Sequence, residues 1–191
     1  MLTVDFQSDF LSADGPCYCA GGQDALQNAL KLADACRVAG IPVVHVMTIH
    51  EDRASVPRRD RERDIIYCIR GSAGAEPALG LVEPNDIVVT KNRYDAYYGT
   101  DLSHVLQKLG TTEVLLVGLK STCCVLAAGL GTLDREFALT VVRDACAPPA
   151  ADVILQLVFD KGSENCQTVQ TSALIARLTG QDIPFRREIA E

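Results

Sequence analysis

The feature that most limits what this chain can fold into is its rhythm. Short runs rich in apolar and β-branched residues alternate with longer stretches whose apolar residues recur every three or four positions. "LTVDF" (2–6) reads as a short strand ending near Asp5. "DALQNALKLADACRVAG" (24–40) has apolar residues at 26, 29, 30, 33, 36 and 38 and stops at Gly40, the pattern of an amphipathic helix with a glycine end. Strands follow at "IPVVHVMTI" (41–49), "NDIVVTK" (85–91), "EVLLVGL" (113–119) and "ALTVVRDA" (138–145), with a short last one at "CQTVQ" (166–170). Helices are expected at "TDLSHVLQKLG" (100–110), "CCVLAAGLGTLDREF" (123–137), "PAADVILQLVFDKG" (149–162) and "TSALIARLTG" (171–180). Such alternation predicts an α/β fold. We expect a Rossmann-like three-layer sandwich, with a mainly parallel central sheet of about six strands flanked by helices and joined by right-handed crossovers. No repeat, low-complexity tract or linker interrupts it, so residues 1–191 read as a single domain. The polar stretch 50–84 is the main insertion, of the kind that often covers a site.

Composition excludes several kinds of partner. The net charge of −7 argues against nucleic acid and anionic membrane, and no apolar run has the length of a membrane span. The opening "MLTVDFQSDF" lacks the basic and apolar regions of a signal peptide, which points to the cytoplasm. There the eight cysteines stay reduced. "CYC" at 17–19 has one intervening residue and no partner pair, which does not suit zinc, so neither metal nor cofactor is expected.

In an open parallel sheet, ligands bind outside the carboxyl ends of the strands. No glycine-rich phosphate loop follows the first strand, since "DFQSDF" has no glycine. Three reactive side chains do collect at strand ends: Asp5, Lys91 and a cysteine of "LKSTCCV" (119–125). A lysine ammonium stabilises a thiolate, and a carboxylate can take the thiol proton and return it to a leaving amine. His50 is the one histidine near this edge; His45 falls inside a strand and His104 on a helix face. Spacing does not choose between Cys123 and Cys124.

Four segments, in order, resemble those of the isochorismatase-like cysteine hydrolases: "TVDFQSDF", "VTKNRYDAYYGTDL", "VLLVGLKSTCCV" and "VVRDACA". The resemblance covers nearly the whole chain. It implies a catalytic triad of Asp5, Lys91 and Cys124, with Cys124 the nucleophile because it directly precedes Val125. It also implies a cis peptide between Leu119 and Lys120 and an oxyanion hole made by the backbone amides of Lys120 and Cys124. Cys123 is then left to packing. Lys120 and Ser121 stand where the family often has Ala and Thr, Tyr97 replaces a common Phe, and Ala128 and Gly131 replace a common Thr and Asp. "HVMTIHEDR" does not reproduce the Asp-x-His…His metal set of nicotinamidases.

The function implied is cysteine-dependent hydrolysis of a C–N bond in a small amide, carbamoyl or ureido compound, through a thioester acyl-enzyme. The candidate pocket residues are Gln7, Phe10, His50, Tyr97 and Tyr98. The arginine-rich segment (Arg53, Arg58, Arg59, Arg61, Arg63, Arg70) is either a clamp for a substrate carboxylate or a solvated or subunit-contact loop. The resemblance further implies a homodimer or homotetramer. Two rivals are a vinyl-ether hydrolase using Asp5 and Lys91 without covalent catalysis, and a non-enzymatic thiol sensor or binding module built on Cys123 and Cys124.

Overall fold

A computed structural model describes residues 1–149, 152–159 and 165–180. Strand β1 (Leu2–Val4) leads through a one-turn helix α1 (Ser8–Leu11) to the long helix α2 (Gly22–Val38) and strand β2 (Val44–Thr48). The insertion contains a short helix α3 (Arg58–Arg61) between two 3-10 turns, Arg53–Ser55 and Ala73–Ala75. Then come β3 (Ile87–Lys91), α4 (Leu102–Lys108), β4 (Glu113–Leu119), a π-helical turn (Ser121–Val125) and α5 (Leu126–Leu133). β5 (Ala138–Ala147), α6 (Asp152–Phe159), β6 (Cys166–Val169) and α7 (Thr171–Leu178) complete the order. The six strands form one all-parallel sheet in the order β3-β2-β1-β4-β5-β6. Among the described residues, no helix is long and apolar enough to cross a membrane.

Strand β4 shows why the sheet is covered on both sides. Its residues from Val114 to Leu119 are all buried. Side chains alternate across a strand, so Leu115, Val117 and Leu119 join one apolar cluster with Ala29, Leu32 and Cys36 of α2 and Leu174 of α7. Val114 and Leu116 join the other, with Leu102 and Leu106 of α4, Val125, and Leu155 and Phe159 of α6. Helix α2 makes its contact through Ala25, Leu26, Ala29, Leu32, Ala33 and Cys36, the stripe that a 3.6-residue period places on one face.

Three differences from the sequence reading bear on the site. The helix expected from 123 begins instead with the π-helical turn, and the α-helix proper starts at Leu126. The one-turn helix after β1 has no sequence period to show it. The expected helix over 149–162 is seen as Asp152–Phe159; its remaining positions 150, 151 and 160–162 lie outside the described residues.

Two glycine constraints hold the centre of the sheet and α5 together. Gly118 adopts φ 147°, and a Cβ there would lie 2.4 Å from the Val4 carbonyl oxygen of the neighbouring strand. The register of β4 on β5 also shifts between Leu116 and Gly118, which re-aims the chain just ahead of Lys120. Gly129 has a packing role: its Cβ would meet the Phe159 ring at 2.5 Å.

Candidate active site

Strands β1, β2, β3 and β4 end side by side, and their carboxyl ends bring the charged groups together. Asp5 follows β1 with φ 58°, a left-handed conformation that costs a residue other than glycine about 1–2 kcal/mol. Its carboxylate is buried, as is the Lys91 ammonium, and the two pair at 2.8 Å. Burying two charges costs several kcal/mol each unless their remaining bonds are satisfied. Here they are. Asp5 Oδ1 accepts from the Thr48 amide (3.0 Å) and hydroxyl (2.8 Å), while Oδ2 accepts from Lys91 Nζ. Lys91 Nζ also lies 2.9 Å from Thr48 Oγ1, 3.1 Å from the Arg93 carbonyl and 3.3 Å from Cys124 Sγ.

Thr48 is thus the hub between acid and base, a residue the sequence placed at a strand end without a role. Gln7 fixes Thr48 in turn. The Gln7 side-chain amide donates to the carbonyls of Thr48 and Ala75, each at 2.8 Å, and its oxygen accepts from the Thr48 amide at 2.8 Å.

Cys124 is set by the π-helical turn. The Cys123 and Val125 amides both donate to the Lys120 carbonyl, at 2.9 and 3.2 Å, and this wide turn carries Cys124 Sγ down to Lys91. The peptide between Leu119 and Lys120 is cis. Burial pushes the Cys124 thiol well above its ordinary pKa, and the Asp5 carboxylate adds to that; Lys91 pulls the other way without cancelling it. Burial alone would lower the Lys91 pKa, but the charges and hydrogen bonds of Asp5 and Cys124 together outweigh it and keep the ammonium charged. Lys91 is thus held as an ammonium between the Asp5 carboxyl group and the Cys124 sulfur.

These groups open into a cavity of about 290 Å³. Phe10, Pro16, Cys17, Pro57, Ile65 and Tyr67 give it apolar walls. Its polar lining includes Arg59, Asp60, Arg63, Asn92, Arg93, Tyr94 and Lys120. A second hollow of about 440 Å³ lies at the other end of the strands, around Met1, Pro42, Leu109 and Leu178, and has no cysteine in its lining.

Of the five expected pocket residues, the structure brings Phe10 to the cavity and not the other four. Gln7 is fully buried and spends its amide on Thr48 and Ala75. His50 is fully buried behind Tyr67, ring against ring at 5.0 Å and 88°. No protein group among the described residues bonds its ring nitrogens, and burial, then Arg93 and Lys91, lower its pKa. Tyr97 is buried with its hydroxyl 2.7 Å from Thr132 Oγ1 and Arg135 over its ring, and Tyr98 points to solvent. The tyrosines that line the cavity are Tyr67 and Tyr94. Cys123, expected in packing, is half-buried and lines the cavity beside Cys124.

The arginine-rich segment divides. Arg53, Arg58 and Arg70 pair with Asp64, Glu62 and Glu51 at the surface, and Arg61 donates to the Val56 carbonyl. Arg59 and Arg63 line the cavity.

The sheet is that of a Rossmann-like α/β fold, and an acid, a lysine and a buried thiol meet at its strand ends. The isochorismatase domain family matches residues 1–173, and the chain belongs to that family of hydrolases. It is 24% identical over 168 residues, 84% of this chain and 86% of the relative, to a protein described as a probable inactive nicotinamidase of Arabidopsis thaliana. It is 22% identical to maleamate amidohydrolase of Pseudomonas putida, over 86% of this chain and 79% of the relative. The crystal structure of a cysteine hydrolase from Pseudomonas syringae shares the fold, with a TM-score of 0.82 at 23% identity over 95% of this chain and 92% of that one.

Proposed function

We propose that this protein hydrolyses a C–N bond of a small amide, carbamoyl or ureido compound, with Cys124 as nucleophile. One observation carries the reading: a single buried ammonium, Lys91 Nζ, lies 2.8 Å from Asp5 and 3.3 Å from Cys124 Sγ at the floor of a metabolite-sized cavity. As the sulfur attacks the carbonyl carbon, Asp5 takes the thiol proton, and Lys91 stabilises the charge developing on sulfur. The backbone amides of Lys120 and Cys124 receive the oxyanion. Collapse breaks the C–N bond, the nitrogen leaves with the proton held by Asp5, and a thioester remains. Water then attacks the thioester, passing a proton to Asp5. The sulfur leaves as thiolate and recovers that proton, and the acid is released. Among the relatives, maleamate amidohydrolase is named for a C–N cleavage, which favours this chemistry. Here Lys91 Nζ lies within bonding reach of both the acid and the thiol.

A panel of small amides and ureides, assayed for ammonia release, tests the reading. At least one is expected to turn over, and Cys124→Ala is expected to abolish that turnover. Iodoacetamide should inactivate the protein, adding a carbamidomethyl group at Cys124 with loss of iodide. Full turnover by Cys124→Ala would eliminate the covalent route and favour hydrolysis by Asp5 and Lys91 alone.

A further inference from the structure

The cavity is far more cationic than the protein that holds it. The chain carries a net charge of −7, yet five of its eighteen Lys and Arg side chains line this one cavity. They are Arg59, Arg63, Lys91, Arg93 and Lys120, and the only acidic residue in the lining is Asp60. Pairing removes two of the charges. Lys91 is matched by Asp5, and Arg59 reaches Asp60 at 3.4 Å while its guanidinium lies against Tyr94. Asp60 also accepts from the Tyr67 hydroxyl at 3.2 Å, which occupies its other oxygen.

Three cations are left over. Among the described residues, Arg63, Arg93 and Lys120 form no salt bridge. Arg93 is held at the site because its carbonyl accepts from Lys91, and its guanidinium donates to the Asn92 carbonyl. Lys120 is half-buried, one residue past the end of β4, and its charge acts on the Cys17 thiol across the cavity. Of the neighbouring arginines outside the lining, Arg53, Arg58 and Arg70 are neutralised by Asp64, Glu62 and Glu51, and Arg61 donates to the Val56 carbonyl. The charges that weigh most on Cys124 are those of Asp5 and Lys91.

A cleft lined by cations of which only Lys120 is half-buried, Arg63 and Arg93 being exposed, still focuses positive potential and concentrates anions. Guanidinium forks and an ammonium together match a carboxylate. We propose that the substrate is a small amide or ureide that also carries a carboxylate, and that Lys120, Arg63 and Arg93 supply its counter-charge while the scissile carbonyl faces Cys124. This rests on the amidase reading of the same site. It gives Lys120 a use for its side chain beyond the backbone amide, and it narrows the arginine-rich segment to Arg63.

Two measurements test it, one of them independent of turnover. In the first, iodoacetamide alkylation of Cys124 is followed by mass spectrometry with succinate or succinamide present. Succinate is expected to slow alkylation about tenfold or more at low salt, less at 300 mM NaCl, and succinamide at equal concentration to have little effect. Equal protection by both, or none by either, would overturn the proposal whether or not any amide is cleaved. In the second, kcat/KM is compared for succinamate and glutaramate against their neutral diamides. The monoamides are expected to be preferred by about 30-fold or more, mainly through KM. That preference should fall about tenfold in Lys120→Met and in Arg63→Met, with Lys120→Arg retaining part of it. Cys124-dependent hydrolysis with no preference for the anionic amides defeats the substrate assignment and leaves the amidase reading intact. Succinate protection without hydrolysis of any amide defeats the amidase reading and leaves the anion site standing.

Discussion

At the scale of single residues, the site is a contest for one ammonium. Lys91 Nζ has three protons and four acceptors within 3.3 Å, so the position of each acceptor decides how much of the charge reaches the sulfur. Thr48 is the residue that apportions it, donating its hydroxyl to Asp5 while accepting from Lys91. Thr48→Val keeps the shape and removes both bonds. Losing a buried bond to a charged group costs about 1.5–3 kcal/mol, so kcat should fall about 10- to 100-fold, KM should change little, and Thr48→Ser should restore most of the rate. The raised Cys124 pKa makes a second prediction. The resting thiol should show no thiolate absorbance near 240 nm at pH 8 when wild type is compared with Cys124→Ser. Alkylation should therefore accelerate with pH up to pH 9 and beyond instead of levelling off near neutrality. A plateau near pH 7 would mean that the cysteine rests as a thiolate and that Asp5 has no proton to take from it.

At the scale of elements, the strand ends are held by contacts some distance from the chemistry. The approach of β4 to β1 leaves no room for a side chain at Gly118. Gly118→Ala should cost roughly 3 kcal/mol or more, as overpacking and strain combine there, and chemical denaturation reads it directly. At the opposite end of β2 and β3, Asp86 receives both Arg37 Nη2 (2.5 Å) and His45 Nε2 (3.0 Å), and His45 Nδ1 accepts from the Thr3 hydroxyl at 2.7 Å. Burial opposes charge on Asp86, but the hydrogen bonds of Arg37 and His45 outweigh it and pull its pKa down to about 2. A carboxylate whose folded pKa lies below its unfolded value stabilises the fold above the unfolded value, and that contribution is lost as pH falls through the folded one. Asp86 should thus supply on the order of 2 kcal/mol at neutral pH, lost between about pH 4 and pH 2. Asp86→Asn should be less stable at pH 7 and flatter across that acid window in urea titrations.

At the scale of the whole molecule, two histidines set a milder acid limit. Burial lowers the pKa of His45, against the pull of Asp86, and that of His50. The unfolded chain takes up these protons near pH 6.5, before the folded one does, so stability should fall as pH drops below about 6.5. Melting temperature should decline from pH 7 to pH 5, and the decline should be shallower in His50→Phe, whose ring keeps the contact with Tyr67 and has nothing to protonate. An equal slope in that variant would mean that His50 does not titrate with unfolding.

The order of strands and helices was legible in the sequence because each depends on a local period. Residues of β4 apolar on both faces, and the three- and four-residue stripe of α2, require burial wherever the chain goes. Asp5 and Lys91 stood out for the same reason: a charge at the end of an apolar run, on the edge where parallel strands present their ligands. The resemblance, rather than any spacing, separated Cys124 from Cys123. Everything taken from the 50–84 insertion and the loop after β3 was opaque. His50 and Tyr97 looked like pocket residues by proximity in sequence, yet both are buried elsewhere, and Tyr67 and Tyr94 line the cavity instead. Irregular backbone has no period, so the direction of its side chains is set only by what they pack against. The same holds for charge. The sequence alone determined how many arginines the segment carries; only the tertiary structure decided which ones meet an acid at the surface and which line the cavity, because a counter-charge is found in space and not along the chain.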